Sequence, residues 1–222
     1  MKVILFGATG MVGRGVLRQC LLDPDIESVL SIGRKPSGES HPKLRDLVHA
    51  DLFDTTVDAG ELNDYDTCLF CLGVSSVRMS EAQFTHLTYD LTMGWARALA
   101  RQNAKMRFLY VSGMGTGGKA MWARVKGRTE SDLLALFPEA IMIRLGALRP
   151  MHGERSKAPG GGILLALVSP LWPILQWLWP NGVITTEELG RAMILAARRG
   201  GSKRVLESAD LVALGRRGAE LG

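Results

Sequence analysis

The most distinctive chemical motif in the sequence is a set of three glycines separated by two residues each. It comprises Gly7-Ala8-Thr9-Gly10-Met11-Val12-Gly13 and lies between an apolar run and a helix-like segment. In a strand–turn–helix context the first glycine permits a tight turn, the second lets the backbone approach a pyrophosphate, and the third lets helix and strand pack closely. The phosphates would then meet the N–H groups at the start of the helix. We therefore predict that Gly7, Thr9, Gly10, Met11, Val12 and Gly13 bind a dinucleotide; a turn that merely links strand to helix is the alternative.

Cationic residues beside this turn bear on which dinucleotide would bind. The end of the second strand lies near the adenosine ribose, where an acidic residue would hydrogen-bond the 2′-hydroxyl of NAD. The chain instead has Gly33-Arg34-Lys35 there, and Arg14 follows the third glycine. Because guanidinium groups suit a phosphate, we expect NADP(H) to be favoured over NAD(H). Solvated loop charges are the alternative role for Arg34 and Lys35.

The elements that must position these residues follow from the hydropathy pattern. Strands are predicted at Val3–Phe6, Ser28–Ile32, Leu47–Ala50, Thr67–Leu72, Arg107–Val111, Ala140–Leu145 and Arg204–Glu207. Helices are predicted at Met11–Leu22, Glu81–Gln102, Ala120–Leu136, Thr186–Arg199 and Ala209–Leu214. Continuous apolar strands spaced by helices indicate a parallel sheet covered on both faces. We therefore predict an α/β fold, a Rossmann-type doubly wound parallel sheet, with residues 1–222 forming a single NAD(P)-binding domain with a small C-terminal elaboration on the substrate side.

Several further blocks occur in a recognisable order. They are Gly33-Arg34-Lys35-Pro36, Ala50-Asp51-Leu52, Cys71-Leu72-Gly73, Tyr110-Val111-Ser112-Gly113, Lys126-Gly127, Arg144-Leu145-Gly146 and Thr185-Thr186-Glu187-Glu188-Leu189-Gly190. With the glycine turn, they resemble the short-chain dehydrogenase/reductase superfamily over most of residues 1–150. The likeness is to its atypical, NAD-dependent epimerase/dehydratase-like members, the Tat-interacting-protein-like oxidoreductases. It implies that Asp51 contacts the adenine and that Leu52 and Gly73 belong to the cofactor site; for Asp51, an ordinary strand-end turn is the alternative.

The same resemblance implies a catalytic set with one departure. In that superfamily a Ser orients the substrate carbonyl, a Tyr transfers the proton, and a Lys holds the nicotinamide ribose and lowers the Tyr pKa. Ser112 matches the Ser and Lys126 matches the Lys, which is therefore also a cofactor contact. The Tyr is expected four residues before the Lys, one helical turn away, where the chain has Trp122. An indole N–H only donates a hydrogen bond and cannot cycle a proton near neutral pH.

Trp122 leaves three interpretations open. Another group, such as Ser112, a water or the substrate, handles the proton; or the protein binds NADP(H) as a sensor or scaffold without turnover; or the cofactor supports a different reaction. Tyr110 and Tyr89 are possible substitutes, although we expect core packing for both. The preferred hypothesis is an NADP(H)-dependent oxidoreductase or epimerase-like enzyme acting on a small carbonyl-bearing or apolar substrate. The non-catalytic sensor, possibly associated with a membrane surface, is the alternative.

Composition excludes other function classes. The chain of 222 residues carries a net charge of +5, but it has no long basic run and no nucleic-acid motif, so we expect no nucleic-acid partner. The histidines are isolated, so we expect no metal site. Cys68 and Cys71 fall on opposite faces of a predicted strand, which disfavours a redox pair. The first residues lead into a strand and not into a signal peptide, so a cytoplasmic location is expected.

The longest uncharged segment extends from Ala158 to Thr186 and includes three of the five tryptophans. Pro170, Pro173 and Gln176 interrupt it, which disfavours a membrane-spanning helix. We predict that residues 150–182 form an apolar cap over the nicotinamide end, where they would line a substrate pocket or form a homodimer contact. Docking of residues 163–179 on a membrane surface is the alternative.

Overall fold

The computed structural model describes residues 1–154, 172, 179, 182–200 and 203–220. The strands are β1 (Lys2–Phe6), β2 (Ser28–Gly33), β3 (Leu44–Val48), β4 (Thr67–Phe70), β5 (Arg107–Gly113), β6 (Ile141–Leu145), β7 (Ala147–Arg149), β8 (Val183–Thr185) and β9 (Val205–Glu207). The helices are α1 (Met11–Leu22), α2 (Ala59–Leu62), α3 (Glu81–Thr85), α4 (Leu91–Gln102), α5 (Met121–Leu136), α6 (Thr186–Arg199) and α7 (Ser208–Glu220). A π-helical turn at His86–Asp90 joins α3 to α4.

Within this part of the chain, a seven-stranded sheet has the order β3-β2-β1-β4-β5-β6-β9, and its neighbouring strands are parallel. The chain moves outward from β1 to β3 and then returns to β4 on the other side of β1. In open α/β sheets, the crevice beyond the carboxyl ends of the strands at this reversal is where ligands bind. The turns that follow β1 and β4 therefore border the candidate site.

Both faces of the sheet are buried, as the continuous apolar strands require. Val3 and Leu5 belong to a core formed with α1, α6 and α7. Ile4 and Phe6 belong to a second core on the opposite face, formed with α4 and α5. Because successive side chains of a strand point to opposite faces, β1 can be apolar throughout only when helices cover both sides. The predicted Rossmann-type doubly wound parallel sheet is confirmed.

Glycines bring α1 and α6 into close contact. A Cβ on Gly15 would lie 2.6 Å from the Cβ of Thr186, and a Cβ on Gly190 would lie 2.5 Å from the Cγ of Gln19. Each glycine thus admits a side chain from the facing helix. This packing places the start of α6 beside the middle of α1.

Several predicted boundaries are wrong. The strand predicted at Leu47–Ala50 is instead Leu44–Val48, because β2 pairs in register with those residues. The ends of the helix predicted at Glu81–Gln102 are confirmed, but the π-helical turn interrupts it. The last helix extends well beyond Ala209–Leu214. The short parallel pair β7–β8 was not predicted.

The predicted apolar cap lies largely outside the described residues. Residues 155–171, 173–178 and 180–181 are not described, so the cap at 150–182 and the membrane contact at 163–179 stay predictions. Two of its tryptophans are described: Trp172 is buried and Trp179 is exposed. Among the described residues, no helix has the length and apolar character needed to cross a membrane.

The α1–α6 contact generates a stability prediction. Replacing Gly15 by Ala would force a methyl group against the Cβ and carbonyl of Thr186, which belong to a helix that cannot move aside locally. We expect the free energy of unfolding to fall by about 1–3 kcal/mol, despite the better helix propensity of Ala. Urea denaturation followed by circular dichroism measures this loss.

Gly73→Ala is the matched control, because a Cβ there would meet nothing within 4 Å. This variant should unfold at the urea concentration of the wild type. Equal stability of the Gly15 and Gly73 variants would show that the two helices tolerate a wider separation.

Candidate functional site

The glycine turn has the geometry of an anion-binding helix start. Gly7 adopts a φ of +84°, and its carbonyl accepts a hydrogen bond of 2.9 Å from the N–H of Gly10. A Cβ on Gly13 would lie 2.0 Å from the Gly7 oxygen, so only glycine allows α1 to begin directly above this turn. Gly10 offers no side-chain cap, and the first turn of α1 has no acidic residue. The positive end of α1 is therefore available to an anion.

The predicted phosphate-binding cations flank this turn. Arg14 is exposed on α1, and Arg34 and Lys35 are exposed in the loop after β2. The backbone N–H and the hydroxyl of Ser37 donate hydrogen bonds of 3.1 and 2.8 Å to Asp46 on β3, which folds this loop back on the sheet. The cations after β2 thus project from a loop held near the carboxyl end of β1.

The predicted adenine-side residues lie beyond β3 and β4. Asp51 is exposed and accepts a hydrogen bond of 2.9 Å from the N–H of Phe53. Leu52 is buried, and its carbonyl accepts a 2.8 Å hydrogen bond from the indole of Trp95 on α4. Gly73 is exposed just after β4. These contacts fix the backbone at Leu52 and leave the Asp51 side chain in a turn open to solvent; adenine binding at these positions stays a prediction.

Ser112, the predicted catalytic serine, belongs to a buried polar network. Its hydroxyl donates a 2.6 Å hydrogen bond to Glu130, a buried carboxylate on α5. Arg144 on β6 forms an ion pair of 2.7 Å with Glu130 and a second of 3.1 Å with Glu207 on β9. The Ser112 hydroxyl is therefore engaged within the protein.

The sequence analysis missed Glu130, although a signal for this network existed. Ser112, Arg144 and Glu207 are direct neighbours across β5, β6 and β9, and each lies near the carboxyl end of its strand beside apolar residues. Polar residues adjacent on one face of a sheet require a common partner. Glu130 on the covering helix supplies it.

Lys126 lies one helical turn before Glu130 and is partly buried. Burial lowers the pKa of Lys126 to about 8, an effect that the charge of Glu130 partly offsets. Its Nζ lies 5.9 Å from the centre of the Tyr110 ring. Among the described residues, the ammonium donates no hydrogen bond to a side chain or a carbonyl. It is therefore available to an oxygen acceptor.

The two candidate substitute tyrosines are held elsewhere. Tyr110 is 1% exposed; burial, followed by the charge of Glu130, raises its phenol pKa. The Tyr89 hydroxyl donates to Asp132, which is the main reason for the raised pKa of that phenol, and the guanidinium of Arg128 lies over its ring. Both pack in the core as expected and neither offers its phenol to the crevice.

Trp122 lies in the first turn of α5, and its indole ring faces the turn that leaves β5. A Cβ on Gly113 or on Gly115 would lie 3.7 Å from carbons of the ring, so the ring leaves room for a methyl group at either glycine. The position one helical turn before Lys126 is thus filled by a side chain that cannot release a proton near neutral pH.

Among the described residues, no group of three or more His, Cys, Asp or Glu side chains could hold a metal ion.

The chain is similar in sequence to several curated proteins at low identity. No family model matches the sequence. Curated relatives include the mitochondrial protein FMP52 of Candida albicans, 26% identical over 210 residues covering 90% of this chain and 89% of that protein. FMP52 of Chaetomium globosum is 26% identical, with 96% of each chain covered. The leucinostatins biosynthesis cluster protein T of Purpureocillium lilacinum is 26% identical, with 87% of this chain and 83% of that protein covered.

Solved structures with the same fold include epimerases and a dehydrogenase. A UDP-N-acetylglucosamine 4-epimerase from Methanobrevibacter ruminantium superposes with a TM-score of 0.71 at 16% identity, covering 93% of this chain and 75% of that one. The enzyme WbmF from Bordetella bronchiseptica, solved with NAD+, gives 0.69 at 14% identity, covering 97% and 77%. Uronate dehydrogenase from Agrobacterium tumefaciens gives 0.64 at 16% identity, covering 94% and 76%. The Rossmann-like fold is therefore shared with epimerases and dehydrogenases, in line with the coarser resemblance of the sequence.

The expected cytoplasmic location is contradicted by these comparisons. The FMP52 relatives from several fungi are named mitochondrial. The expectation rested partly on free cysteines, and these disfavour only an oxidising compartment. It was therefore wrong to infer one particular reducing compartment from them.

The lowered pKa of Lys126 predicts a stabilising substitution. The pKa in the folded protein, about 8, lies below the ordinary value of 10.5, so the unfolded chain binds more protons between these values. The resulting penalty on folding is complete below about pH 8 and disappears as the pH rises through the ordinary pKa. We expect Lys126→Met to raise the free energy of unfolding by about 1–3 kcal/mol near pH 7, measured by urea denaturation.

The pH dependence separates this effect from better packing alone. The advantage of Lys126→Met over wild type should shrink as unfolding is measured at increasing pH above about 8. Lys119→Met is the control, since Lys119 is exposed and its removal should change little. An advantage of constant size at every pH would contradict a desolvated ammonium.

Proposed function

We propose that this protein binds NADP(H) in the crevice beside β1 and β4 and acts as an oxidoreductase or epimerase-like enzyme on a small carbonyl-bearing or apolar substrate. The observation that carries the proposal is the glycine turn, which places the uncapped start of α1 at the point where the strand order reverses. A pyrophosphate there would accept hydrogen bonds from the N–H groups of Met11, Val12 and Gly13. Bound NADP(H) would supply or accept the hydride.

The preference for NADP(H) over NAD(H) rests on charge. Arg14, Arg34 and Lys35 are exposed cations close to the carboxyl ends of β1 and β2, and the loop after β2 has no acidic residue before Glu39. A 2′-phosphate would gain forked, charge-assisted hydrogen bonds from the two arginines. A free ribose 2′-hydroxyl would find no carboxylate acceptor in that stretch.

Lys126 would contact the nicotinamide ribose. Its ammonium is partly buried and donates no hydrogen bond to the described residues, and this costs free energy in the unliganded protein. Ribose hydroxyls would provide the missing acceptors. The lysine would then keep its proton more firmly, because a hydrogen bond to the charged form raises the pKa of an amine.

Proton transfer must differ from that of the resembled superfamily. Trp122 stands at the tyrosine position, and the Ser112 hydroxyl donates to Glu130. Neither group can exchange a proton with substrate in this arrangement, so we infer that water or the substrate itself supplies the proton. This inference favours substrates that carry their own acidic or hydroxyl group beside the reacting carbon.

The engaged Ser112 also favours a second candidate. A protein that binds NADP(H) without turnover would need the glycine turn and the cations but no proton donor. The two candidates share the nucleotide site. They differ in whether the protein, with Trp122 in place of the proton-transferring tyrosine, turns over a substrate.

Nucleotide titration tests the shared part of both candidates. We expect calorimetry to show NADPH binding more tightly than NADH, because only NADPH presents the 2′-phosphate to Arg14 and Arg34. Arg14→Gln and Arg34→Gln should each weaken NADPH binding by about tenfold or more and leave NADH binding nearly unchanged. Arg97→Gln, which removes an exposed arginine on α4, is the control.

Failure of both nucleotides to bind would refute both candidates and leave the glycine turn as a structural link. Equal affinity for NADPH and NADH would support dinucleotide binding in the crevice but contradict the proposed preference for NADP(H).

Restoring the phenol distinguishes the two candidates. We expect Trp122→Tyr to raise NADPH-dependent reduction of a panel of small aldehydes and ketones by about a hundredfold, the usual contribution of a positioned acid. Consumption of NADPH, followed by absorbance, measures the rate. Trp122→Phe opens the same space without a phenol and should show no such gain. Equal rates for the two variants would show that the phenol is not the missing group, and absence of turnover in all three proteins would favour the sensor.

A further inference from the structure

A cavity outside the crevice lies along the outer face of α1. Its volume is about 260 Å³, and α1, the loop at residues 39–41 and the segment at residues 152–154 line it. It extends along α1 from Arg14 to Leu22, away from the glycine turn. Only Arg14, at one end, is shared with the proposed nucleotide site. The cavity is therefore large enough and separate enough for a second small ligand.

Unpaired hydrogen-bond donors converge on this cavity. Arg14 and Arg18 are exposed and one helical turn apart, and neither forms an ion pair or a hydrogen bond with the described residues. His41 faces them across the cavity; its Nδ1 accepts a hydrogen bond of 3.2 Å from the N–H of Lys43. The Nε2 of His41 then carries the proton and is a donor. The forked N–H groups of the Arg18 guanidinium and the imidazole N–H of His41 match the oxygens of a phosphate dianion.

The acidic residues at the cavity do not neutralise these arginines. Glu154 accepts hydrogen bonds from the N–H groups of Met151 (3.0 Å) and His152 (2.8 Å) and from the hydroxyl of Thr186 (3.1 Å). Burial alone would raise the pKa of Glu154, but these hydrogen bonds together lower it. Its carboxylate is thus engaged by donors at the start of α6, and it forms no ion pair with Arg14 or Arg18. Glu39 is exposed at the rim and pairs with neither arginine.

The α1 wall of the cavity is apolar beyond Arg18. Leu21 is half-buried and lines the cavity, and Leu17 lies in the core beneath it at 1% exposure. Leu22, 64% exposed, extends this surface at the far end. A bare phosphate would leave it in contact with water, whereas a ligand with an apolar body would cover it.

The geometry points to a second ligand site in this cavity for an aryl or alkyl phosphomonoester. Arg18 and His41 hold the phosphate, and Leu21 and Leu22 hold the apolar body, whereas Arg14, at one end of the cavity, is left to the nucleotide. The site does not depend on nucleotide binding, because its main phosphate contacts lie outside the crevice.

Titration with phenyl phosphate tests this site. We expect binding at a stoichiometry of one by calorimetry, tighter than that of inorganic phosphate or of phenol, and unchanged when NADPH is present in excess. Arg18→Gln should weaken phenyl phosphate binding at least tenfold and leave NADPH binding unaffected. Arg97→Gln on α4 is the matched control and should bind phenyl phosphate like the wild type.

Each other outcome overturns the inference. Absence of phenyl phosphate binding at millimolar concentration, or an Arg18 variant that binds like wild type, would show that the cavity holds no such ligand. Equal affinity for inorganic phosphate and phenyl phosphate would show that the leucines do not contact the ligand, which contradicts a site for phosphomonoesters. Competition between NADPH and phenyl phosphate would assign the cavity to the nucleotide. The titration without nucleotide remains informative if NADPH itself does not bind, so failure of the proposed function is seen separately.

Discussion

The close contact between the Gly7 carbonyl and Gly13 fixes the start of α1 and, through α1, the helices packed behind it. Any Cβ at position 13 would overlap the Gly7 oxygen, so the bare α carbon decides where α1 begins and how it lies on the sheet. Once α1 is fixed, Gly15 and Gly190 bring α6 against it, and β7 and β8 pair beside the start of α6. One close approach thus sets the position of the helix that faces the proposed pyrophosphate and of the helices packed behind it.

The buried network around Glu130 determines whether the Ser112 hydroxyl on β5 can reach a substrate. An isolated carboxylate with 3% exposure would be strongly destabilising, and Arg144 with Ser112 offsets that cost through paired charge and hydrogen bonds. The network joins β5, β6 and β9 to α5, but it engages the hydroxyl that the family resemblance assigns to catalysis. Lys126, one turn away, has no hydrogen-bond partner among the described residues. The hydrogen bond that helps to stabilise the buried Glu130 therefore also prevents the Ser112 hydroxyl from contacting a substrate.

Local patterns predicted the fold well, whereas the site depended on contacts between distant residues. The apolar runs and the glycine turn are local, and both gave the parallel sheet and the start of α1 correctly. Glu130 contacts Ser112 only because α5 packs over the β5–β6 pair. The spacing of residues along the chain does not predict that contact. The error at β3 has a related cause: β3 is an edge strand with mixed exposure, and its register is set by β2. The π-helical turn at His86–Asp90 has no recognisable pattern in the sequence.

The connection between β2 and β3 explains why α1 has two ligand-facing surfaces. In a doubly wound sheet each crossover usually carries a helix that covers the sheet and its neighbouring helix. Here residues 34–43 form a loop without a helix, held by the hydrogen bonds from Ser37 to Asp46. Because this connection places no helix against α1, Arg14 and Arg18 are exposed and the cavity beside α1 is open. The same loop carries Arg34 and Lys35 to the proposed nucleotide site, so a single missing helix accounts for both the cationic edge of the crevice and the separate cavity.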